Sequence, residues 1–347
     1  MIRPYAGNAG DGRPRSGPAS GTGRRTRWLV VGVLAAAVGT MVLAVDPRRF
    51  AEAMERFDLR LIPVVAGLSV GCLLLQGLRW HQLLRGVGIG LRPADSLLLN
   101  TAGQAATAIL PLGDLARAAL ASQAAQAGFG AVAATVTVQE LAYTLALVLS
   151  AAPVLIATRH GIWIVLGVLM GMLVVLAILA VRRLFCLVRW LVARTPLLRH
   201  LLGRIEGLHE ETAVLLRRPD TLGWSVLDAA RAAVAITLLW SIVESLHPGA
   251  LGWWQAAFVL ALSYVGGAVS LIPGGAGVSE ASTVGLLLLF DLDPPTAAAA
   301  VLVQRLFTTG ASTLLGWSAY LLARRRFGFG SIWALPAPPA PRAEKAA

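Results

Sequence analysis

Four charged residues that interrupt long apolar stretches are the first candidates for chemistry. They are Arg117, Glu140, Glu280 and Arg305. A single charge at the centre of a bilayer costs about 2.5 to 3.5 kcal/mol on insertion scales, so four unpaired charges would cost on the order of 10 kcal/mol. We therefore expect these side chains to be paired and to face the protein interior. In that setting the arginines can attract phosphate, while the carboxylates balance them or bind a cationic headgroup.

Two breaks rich in Pro and Gly lie close to these charges. The first is Leu110-Pro111-Leu112-Gly113-Asp114, and the second is Ile272-Pro273-Gly274-Gly275-Ala276-Gly277. At Gly113, Gly274, Gly275 and Gly277 the backbone can approach a ligand, and the helix that follows would turn free N–H groups and its positive dipole end towards it. A tight turn that requires positive φ explains the same glycines equally well.

The two breaks and the four charges form two similar series. Pro111, Gly113 and Arg117 precede Val138-Gln139-Glu140-Leu141, whereas Pro273, Gly275 and Glu280 precede Val303-Gln304-Arg305-Leu306. The signs of the two charges are exchanged between the series. This pattern predicts an internal repeat, although chance similarity in a sequence rich in Gly, Ala and Leu is the alternative. Whether the charges pair within or between the copies is left open.

The composition excludes a soluble domain of this size. Of 347 residues, 56% are hydrophobic and only 14% are charged, and the mean hydropathy is +0.70. The apolar residues form runs that are long enough, or nearly so, to cross about 30 Å of hydrocarbon. These runs are Leu29 to Val45, Leu61 to Leu78, Ala131 to Ala157, Gly161 to Val181, Leu222 to Leu246, Trp253 to Ile272 and Thr296 to Leu322.

The predicted fold is therefore an all-α polytopic membrane protein with six full spans and two re-entrant helical hairpins, 94–127 and 253–290. Two full spans in place of each hairpin is the competing interpretation. We expect repeat one at about 61–157 and repeat two at about 222–322, in opposite orientations, within a transmembrane domain of residues 28–326. Inverted repeats with broken helices are typical of secondary transporters, whose sites lie near the bilayer midplane.

The net charge of +12 comes from arginines at the ends of apolar runs, which indicates topology rather than nucleic-acid binding. It places both termini in the cytoplasm and the protein in the cell membrane. Residues 182–220 mix Leu, Trp and Arg at helical spacing, which favours an amphipathic segment on the inner leaflet. We expect disorder in residues 1–27 and 327–347.

Metal and cofactor chemistry has little support in the sequence. Cys72 and Cys186 are scattered, and the five histidines form no HxxxH pair. We expect neither a metal nor a cofactor.

Three segments of the chain resemble a known family: Arg79-Trp80-His81-Gln82-Leu83-Leu84, 109–118 around Pro111, and Pro273-Gly274-Gly275-Ala276-Gly277-Val278-Ser279-Glu280-Ala281. The sequence is similar to the lysylphosphatidylglycerol synthase transmembrane region, the flippase-like domain of the multiple peptide resistance factor. The resemblance runs from about Trp28 to Arg326. The first break departs from the Pro-Gly start of the family, because Leu112 separates its Pro from its Gly.

That resemblance implies transfer of aminoacylated phosphatidylglycerol between leaflets, with an anionic or aminoacylated phospholipid as the partner. In bifunctional relatives a separate soluble domain charges the lipid. Since this chain ends at Ala347, we expect a stand-alone flippase-like protein and no enzyme activity. Homodimerisation is left open.

Three functions are weighed against each other. A lipid flippase agrees with the repeats, the charges and the resemblance. A membrane enzyme acting on polyprenyl- or phospholipid-linked substrates would need acidic residues in an outer loop, and residues 46–60 offer no clear acid pair. A non-catalytic scaffold would dock a partner on the arginine-rich segment 182–218.

Overall fold

The computed structural model describes residues 47–107, 113–157, 161–193, 212, 214–216, 218–270, 275 and 277–328. Within these ranges the chain is almost entirely helical and contains no strand. The all-α prediction is therefore confirmed for the described chain. The predicted first span, 28–45, and the predicted disordered ends lie outside the described residues, apart from Phe327, the last residue of the final helix, and Gly328, its C-cap.

The first half of the described chain builds six helices in succession. Helix α1 (Pro47–Glu55) is followed by a short 3₁₀ turn at Leu59–Leu61. Helix α2 (Ile62–Gly86) begins directly after this turn, because Pro63 suits the first turn of a helix. The bounds are α1 Pro47–Glu55, α2 Ile62–Gly86, α3 Pro93–Thr107, α4 Asp114–Ala125, α5 Phe129–Ala157 and α6 Gly161–Ala180.

The second half continues with seven further described helices. Helix α12 (Pro294–Arg305) begins after the N-cap residue Asp293, whose carboxylate accepts from the backbone N–H of Thr296. A single π turn at Leu306–Gly310 separates α12 from α13 (Ala311–Phe327). The bounds are α7 Arg182–Ala193, α8 Pro219–Gly223, α9 Val226–Leu246, α10 Trp253–Val269, α11 Val278–Leu288, α12 Pro294–Arg305 and α13 Ala311–Phe327.

Four helical segments among the described residues are long and apolar enough to cross a membrane. They are Leu59–Gly86, Phe129–Ala157, Pro219–Leu246 and Pro294–Phe327. The chain is thus a polytopic membrane protein, while the predicted total of six spans stays a prediction. Large apolar side chains on the outer faces, such as Leu149 at 52% and Leu314 at 73% exposure, would be costly in water and are compatible with lipid.

Two pairs of short helices lie between the long segments. Helix α3 packs on α4, and α10 packs on α11. Their 15, 12, 17 and 11 residues correspond to lengths of about 16 to 26 Å at 1.5 Å per residue. Each arm is therefore shorter than the hydrocarbon core of about 30 Å.

The same order of elements, one long helix, two short helices and another long segment, occurs twice. Long helix α2 packs against α9, the corresponding helix of the second series. Short helix α10 packs against α5, and its counterpart α3 packs against α13. The polar residues of both series therefore converge on the centre of one helical bundle.

Candidate functional site

Arg117 and Glu140 form the first of the ion pairs at the centre of the bundle. Arg117 on α4 is fully buried, and its Nη2 lies 2.6 Å from Oε1 of Glu140 on α5. The Nη1 of Arg117 also donates to Asn100 Oδ1 at 2.9 Å and to Gln139 Oε1 at 3.0 Å. Because three side chains on two helices accept from one guanidinium, Arg117 fixes the hairpin α3–α4 against α5.

Glu140 is shared by three further elements around this pair. Its Oε2 accepts from the Tyr264 hydroxyl of α10 at 2.9 Å, and its Oε1 accepts from Gln76 Nε2 of α2 at 3.4 Å. Arg231 Nη1 of α9 lies 3.6 Å from the same Oε1. The carboxylate therefore connects the first series of helices to the second.

Glu280 and Arg305 form the corresponding pair in the second series. Arg305 Nε lies 2.6 Å from Glu280 Oε1, and Arg305 Nη1 donates to Thr309 Oγ1 at 3.0 Å. Both side chains are partly exposed within the bundle. The pairing of the four predicted charges thus occurs within each series, which decides the alternative that the sequence left open.

The second Gly-rich turn has the strained backbone that its glycines allow. Gly275 has φ +63° and Gly277 has φ +84°, a region that favours glycine. Gly275 also packs close to Gly267, since a Cβ added to it would lie 3.1 Å from the Gly267 Cα. Gly113 has helical φ −55° at the N-cap of α4, and Pro111, Pro273 and Gly274 lie outside the described residues.

The start of α11 already carries an anionic group of the protein itself. Oε2 of Glu280 accepts from the Gly277 N–H at 2.7 Å in a capping box. A carboxylate at this position uses the free N–H groups and the positive helix dipole. Phosphate binding by this turn stays a prediction, and Glu280 lies where such a phosphate would compete.

A cavity of about 270 Å³ is lined by the Glu280–Arg305 pair and by the residues of α2, α9 and α10 that surround Glu140. Its charged lining residues are Arg231, Glu280 and Arg305, and hydroxyl and amide side chains cover much of the remaining wall. The polar residues with the most direct bearing on the site are Gln76, Gln104, Tyr143, Ser263, Tyr264 and Gln304. Such a wall can hold a charged, hydrogen-bonding group inside an otherwise apolar bundle.

A model of the family described as lysylphosphatidylglycerol synthase TM region matches residues 27–316. The chain belongs to this family. The resemblance predicted from its Pro/Gly motifs is thereby confirmed over most of the chain. No curated protein matches the sequence.

In this member of the lysylphosphatidylglycerol synthase TM region family, the structure gives Arg231 a central place that the sequence only hinted at. Asp228 and Arg231 interrupt the apolar run Leu222 to Leu246, and the sequence indicates no partner for either. The Arg231 guanidinium stacks over the Tyr143 ring, with its carbon 3.8 Å from the ring centroid. The only signal for Arg231 in the sequence was an arginine within an apolar run. Its contacts could not be predicted, because the residues around it belong to other helices.

Arg79 also differs from its predicted role as a topology-setting residue at a helix end. It lies inside α2 and is 1% exposed, with its Nε 2.8 Å from Asp228 Oδ2. Its Nη2 donates to the Thr221 carbonyl at 3.0 Å. Arg79 is therefore a buried partner of α9, because the last turns of α2 are covered by the second series rather than by solvent.

Proposed function

We propose that this protein moves the polar headgroup of a phospholipid, or of another lipid-linked substrate, between the two leaflets of the cell membrane. The observation that carries this proposal is a cavity lined by Arg231, Glu280, Arg305 and many hydroxyl and amide side chains, within a bundle whose outer faces are apolar. Bilayer hydrocarbon cannot hydrogen-bond to such a wall. A polar wall at the centre of an apolar bundle therefore supports a polar ligand or water in the cavity.

The short helices support an inverted-repeat transporter architecture. Arms of about 16 to 26 Å fit re-entrant hairpins better than full spans. The irregular backbone between the arms of each hairpin requires protein or a water-filled cavity around it. Two hairpins that enter from opposite sides would bring their turns together near the midplane, as in many transporters.

The size and charge of the cavity favour a headgroup over a whole lipid. A volume of about 270 Å³ lies just below the range of about 300 to 1,000 Å³ that is common for small-molecule sites. The headgroup would occupy this space while the acyl chains stay in the surrounding bilayer. Arginine side chains suit the phosphate, and carboxylates suit a cationic headgroup such as an aminoacyl ester.

Transport in reconstituted vesicles tests the proposal. Vesicles with the protein would carry fluorescent phosphatidylglycerol, and an impermeant quencher would report how much of it reaches the outer leaflet over time. We expect faster exchange than in protein-free vesicles, and slower exchange for an Arg117→Ala/Glu280→Ala variant that still elutes as a folded protein. Equal rates for the wild type, the variant and empty vesicles would refute the proposal.

A further inference from the structure

We propose that Arg231 is the residue that contacts the phosphate of the ligand in this cavity, and that Arg117 is not. This inference rests on the proposed transport function and names the group that the site recognises. It assigns to α9 a role that the sequence pattern had placed on Arg117 and Arg305.

Both terminal nitrogens of Arg117 already donate to protein side chains, and only its buried Nε has no acceptor among the described residues. Its Nη1 and Nη2 donate to Asn100, Gln139 and Glu140, and the side chain is fully buried. It is also absent from the cavity wall. A phosphate could reach this guanidinium only by displacing several protein acceptors, each of which would then be left buried and unpaired.

Arg231 has the opposite arrangement. Its side chain is 14% exposed and lies in the cavity wall. The described residues accept no hydrogen bond from its guanidinium, and its buried Nη1 has no acceptor. The separation of 3.6 Å from Glu140 Oε1 exceeds hydrogen-bond length. A guanidinium carries five N–H donors in a fixed fork, so its hydrogen-bonding capacity is available to a ligand.

Glu140 does not need Arg231 as its neutralising partner. The carboxylate already accepts from Arg117 at 2.6 Å and from Tyr264 at 2.9 Å. The nearby Asp114 carboxylate lies 3.9 Å from Arg117, is 45% exposed and does not line the cavity. Within the wall itself, two arginines face the single carboxylate of Glu280, which favours an anion.

A second group in the wall points to the same ligand. Ser263 on α10 is 1% exposed, lines the cavity, and its buried Oγ has no hydrogen-bond partner among the described residues. Buried hydroxyls are normally paired. A phosphate oxygen accepts from both a serine hydroxyl and a guanidinium, so one anion in the cavity can satisfy both donors.

The ring of Tyr143 holds the Arg231 guanidinium without using its N–H groups. Stacking over the ring at 3.8 Å stabilises the cation through the face of the ring. The N–H donors lie in the plane of the guanidinium, so stacking over the ring uses none of them. Arg231 is thus oriented before any anion enters, which reduces the entropic cost of binding.

Binding to the full-length protein tests this assignment. Purified protein in neutral-lipid nanodiscs would be titrated with short-chain phosphatidylglycerol, with inorganic phosphate, and with short-chain diacylglycerol as the probe without phosphate. We expect Arg231→Gln to weaken phosphatidylglycerol binding about tenfold to a hundredfold, as for loss of charge-assisted hydrogen bonds. Arg60→Gln, which removes an exposed arginine at the start of α2, is the matched charge control and should bind as the wild type does.

The arms of the experiment separate the possible outcomes. Weakening of both phosphate and phosphatidylglycerol binding supports an anion site that recognises phosphate alone, and weakening of phosphatidylglycerol only supports a lipid headgroup site. The assignment is overturned if the wild type and Arg231→Gln bind phosphatidylglycerol with equal affinity. It is also overturned if Arg231→Gln weakens the binding of diacylglycerol as much as that of phosphatidylglycerol. Arg231→Lys is the second variant, for use if Arg231→Gln does not fold. It keeps the positive charge but loses the forked guanidinium, so we expect it to bind phosphatidylglycerol at least threefold more weakly than the wild type. Wild-type affinity of Arg231→Lys for phosphatidylglycerol would overturn the assignment.

Transport by the same variants distinguishes this inference from the proposed function. Binding that depends on Arg231 in a protein that moves no lipid would refute transport and retain the anion site. Transport by the wild type, together with unchanged binding and transport in Arg231→Gln, would refute the anion site and retain transport.

Discussion

Arg79 and Asp228 join the two series of helices through an ion pair of 2.8 Å in which each side chain is 1% exposed. Arg79 lies on α2 and Asp228 on α9, the first long helix of each series. Ser225 Oγ, at the N-cap of α9, also accepts from Arg79 Nη2 at 3.2 Å. The pair thus fixes the contact between α2 and α9. Other residues of the same two helices line the cavity.

Removal of one member of this pair should destabilise the protein strongly. For Arg79→Met we expect a loss of about 3 to 5 kcal/mol, because Asp228 stays behind as a buried, unpaired charge. The double variant Arg79→Met/Asp228→Leu should lose much less, since it removes both charges. Thermal unfolding of the detergent-solubilised protein, followed by tryptophan fluorescence, measures both.

The exposed Arg60→Met variant serves as the control for loss of an arginine. Equal destabilisation by Arg79→Met and Arg60→Met would mean that the buried pair contributes nothing particular to stability. A double variant as unstable as the single one would mean that the hydrogen bonds of Arg79 to the start of α9 matter more than the charge.

The sequence predicted much of this fold because lipid imposes strict rules. Apolar runs had to become helices, and the predicted run 131–157 differs from α5 by two residues at its start. The first Pro/Gly break falls between α3 and α4, and the second falls between α10 and α11. The orientation of the pairs could not be read from hydropathy, since a hairpin and two spans use the same apolar residues.

The ion pairs of the site were predictable, whereas its shared residues were not. A lone charge in an apolar run demands a partner, and this rule predicted that Arg117, Glu140, Glu280 and Arg305 would be paired but not which residue would pair with which. Nothing local marks Arg79 as buried, because its partner Asp228 is 149 residues away. The same holds for Tyr264, whose hydroxyl reaches Glu140 across 124 residues of sequence.

Glu280→Gln should separate the charge of Glu280 from its role as a helix cap. Glutamine also serves at this position of a capping box, and the pair is partly exposed, so we expect a stability loss below about 1 kcal/mol. If the protein transports lipid, an Arg305 whose charge is no longer neutralised by Glu280 would hold an anionic headgroup more tightly and slow its release. We expect exchange about tenfold slower in the vesicle assay, equivalent to about 1.4 kcal/mol of barrier.

Glu52→Gln on the exposed face of α1 is the matched control, because it removes a carboxylate that does not line the cavity. Exchange at the wild-type rate in Glu280→Gln would show that the charge of this pair does not influence transport. A large loss of stability would instead show that glutamine does not replace the cap.

Gly316 sets the distance between α13 and α3. A Cβ added to Gly316 would lie 2.6 Å from the Ala105 backbone nitrogen and 3.0 Å from the Thr101 carbonyl oxygen, so Gly316→Ala must push two backbones apart. We expect a loss of about 1 to 3 kcal/mol, as for overpacking. Gly67→Ala on α2 is the control, because its Cβ would meet nothing within 4 Å; it should be neutral or stabilise by up to about 1 kcal/mol. Similar unfolding temperatures for both variants would contradict this interpretation.

The proposed inverted orientation of the two series predicts on which side of the membrane the connections after their short helices lie. Gly128 lies between α4 and α5, and Leu289 follows α11 at the corresponding place in the second series. With Cys72 and Cys186 replaced by Ala, an impermeant maleimide outside intact cells should label Leu289→Cys and not Gly128→Cys. Both should react after the membrane is opened, because Leu289 is 71% exposed and Gly128 is also exposed. If both were labelled from the same side, the two series would share one orientation, and the midplane site between opposed hairpins would have to be abandoned.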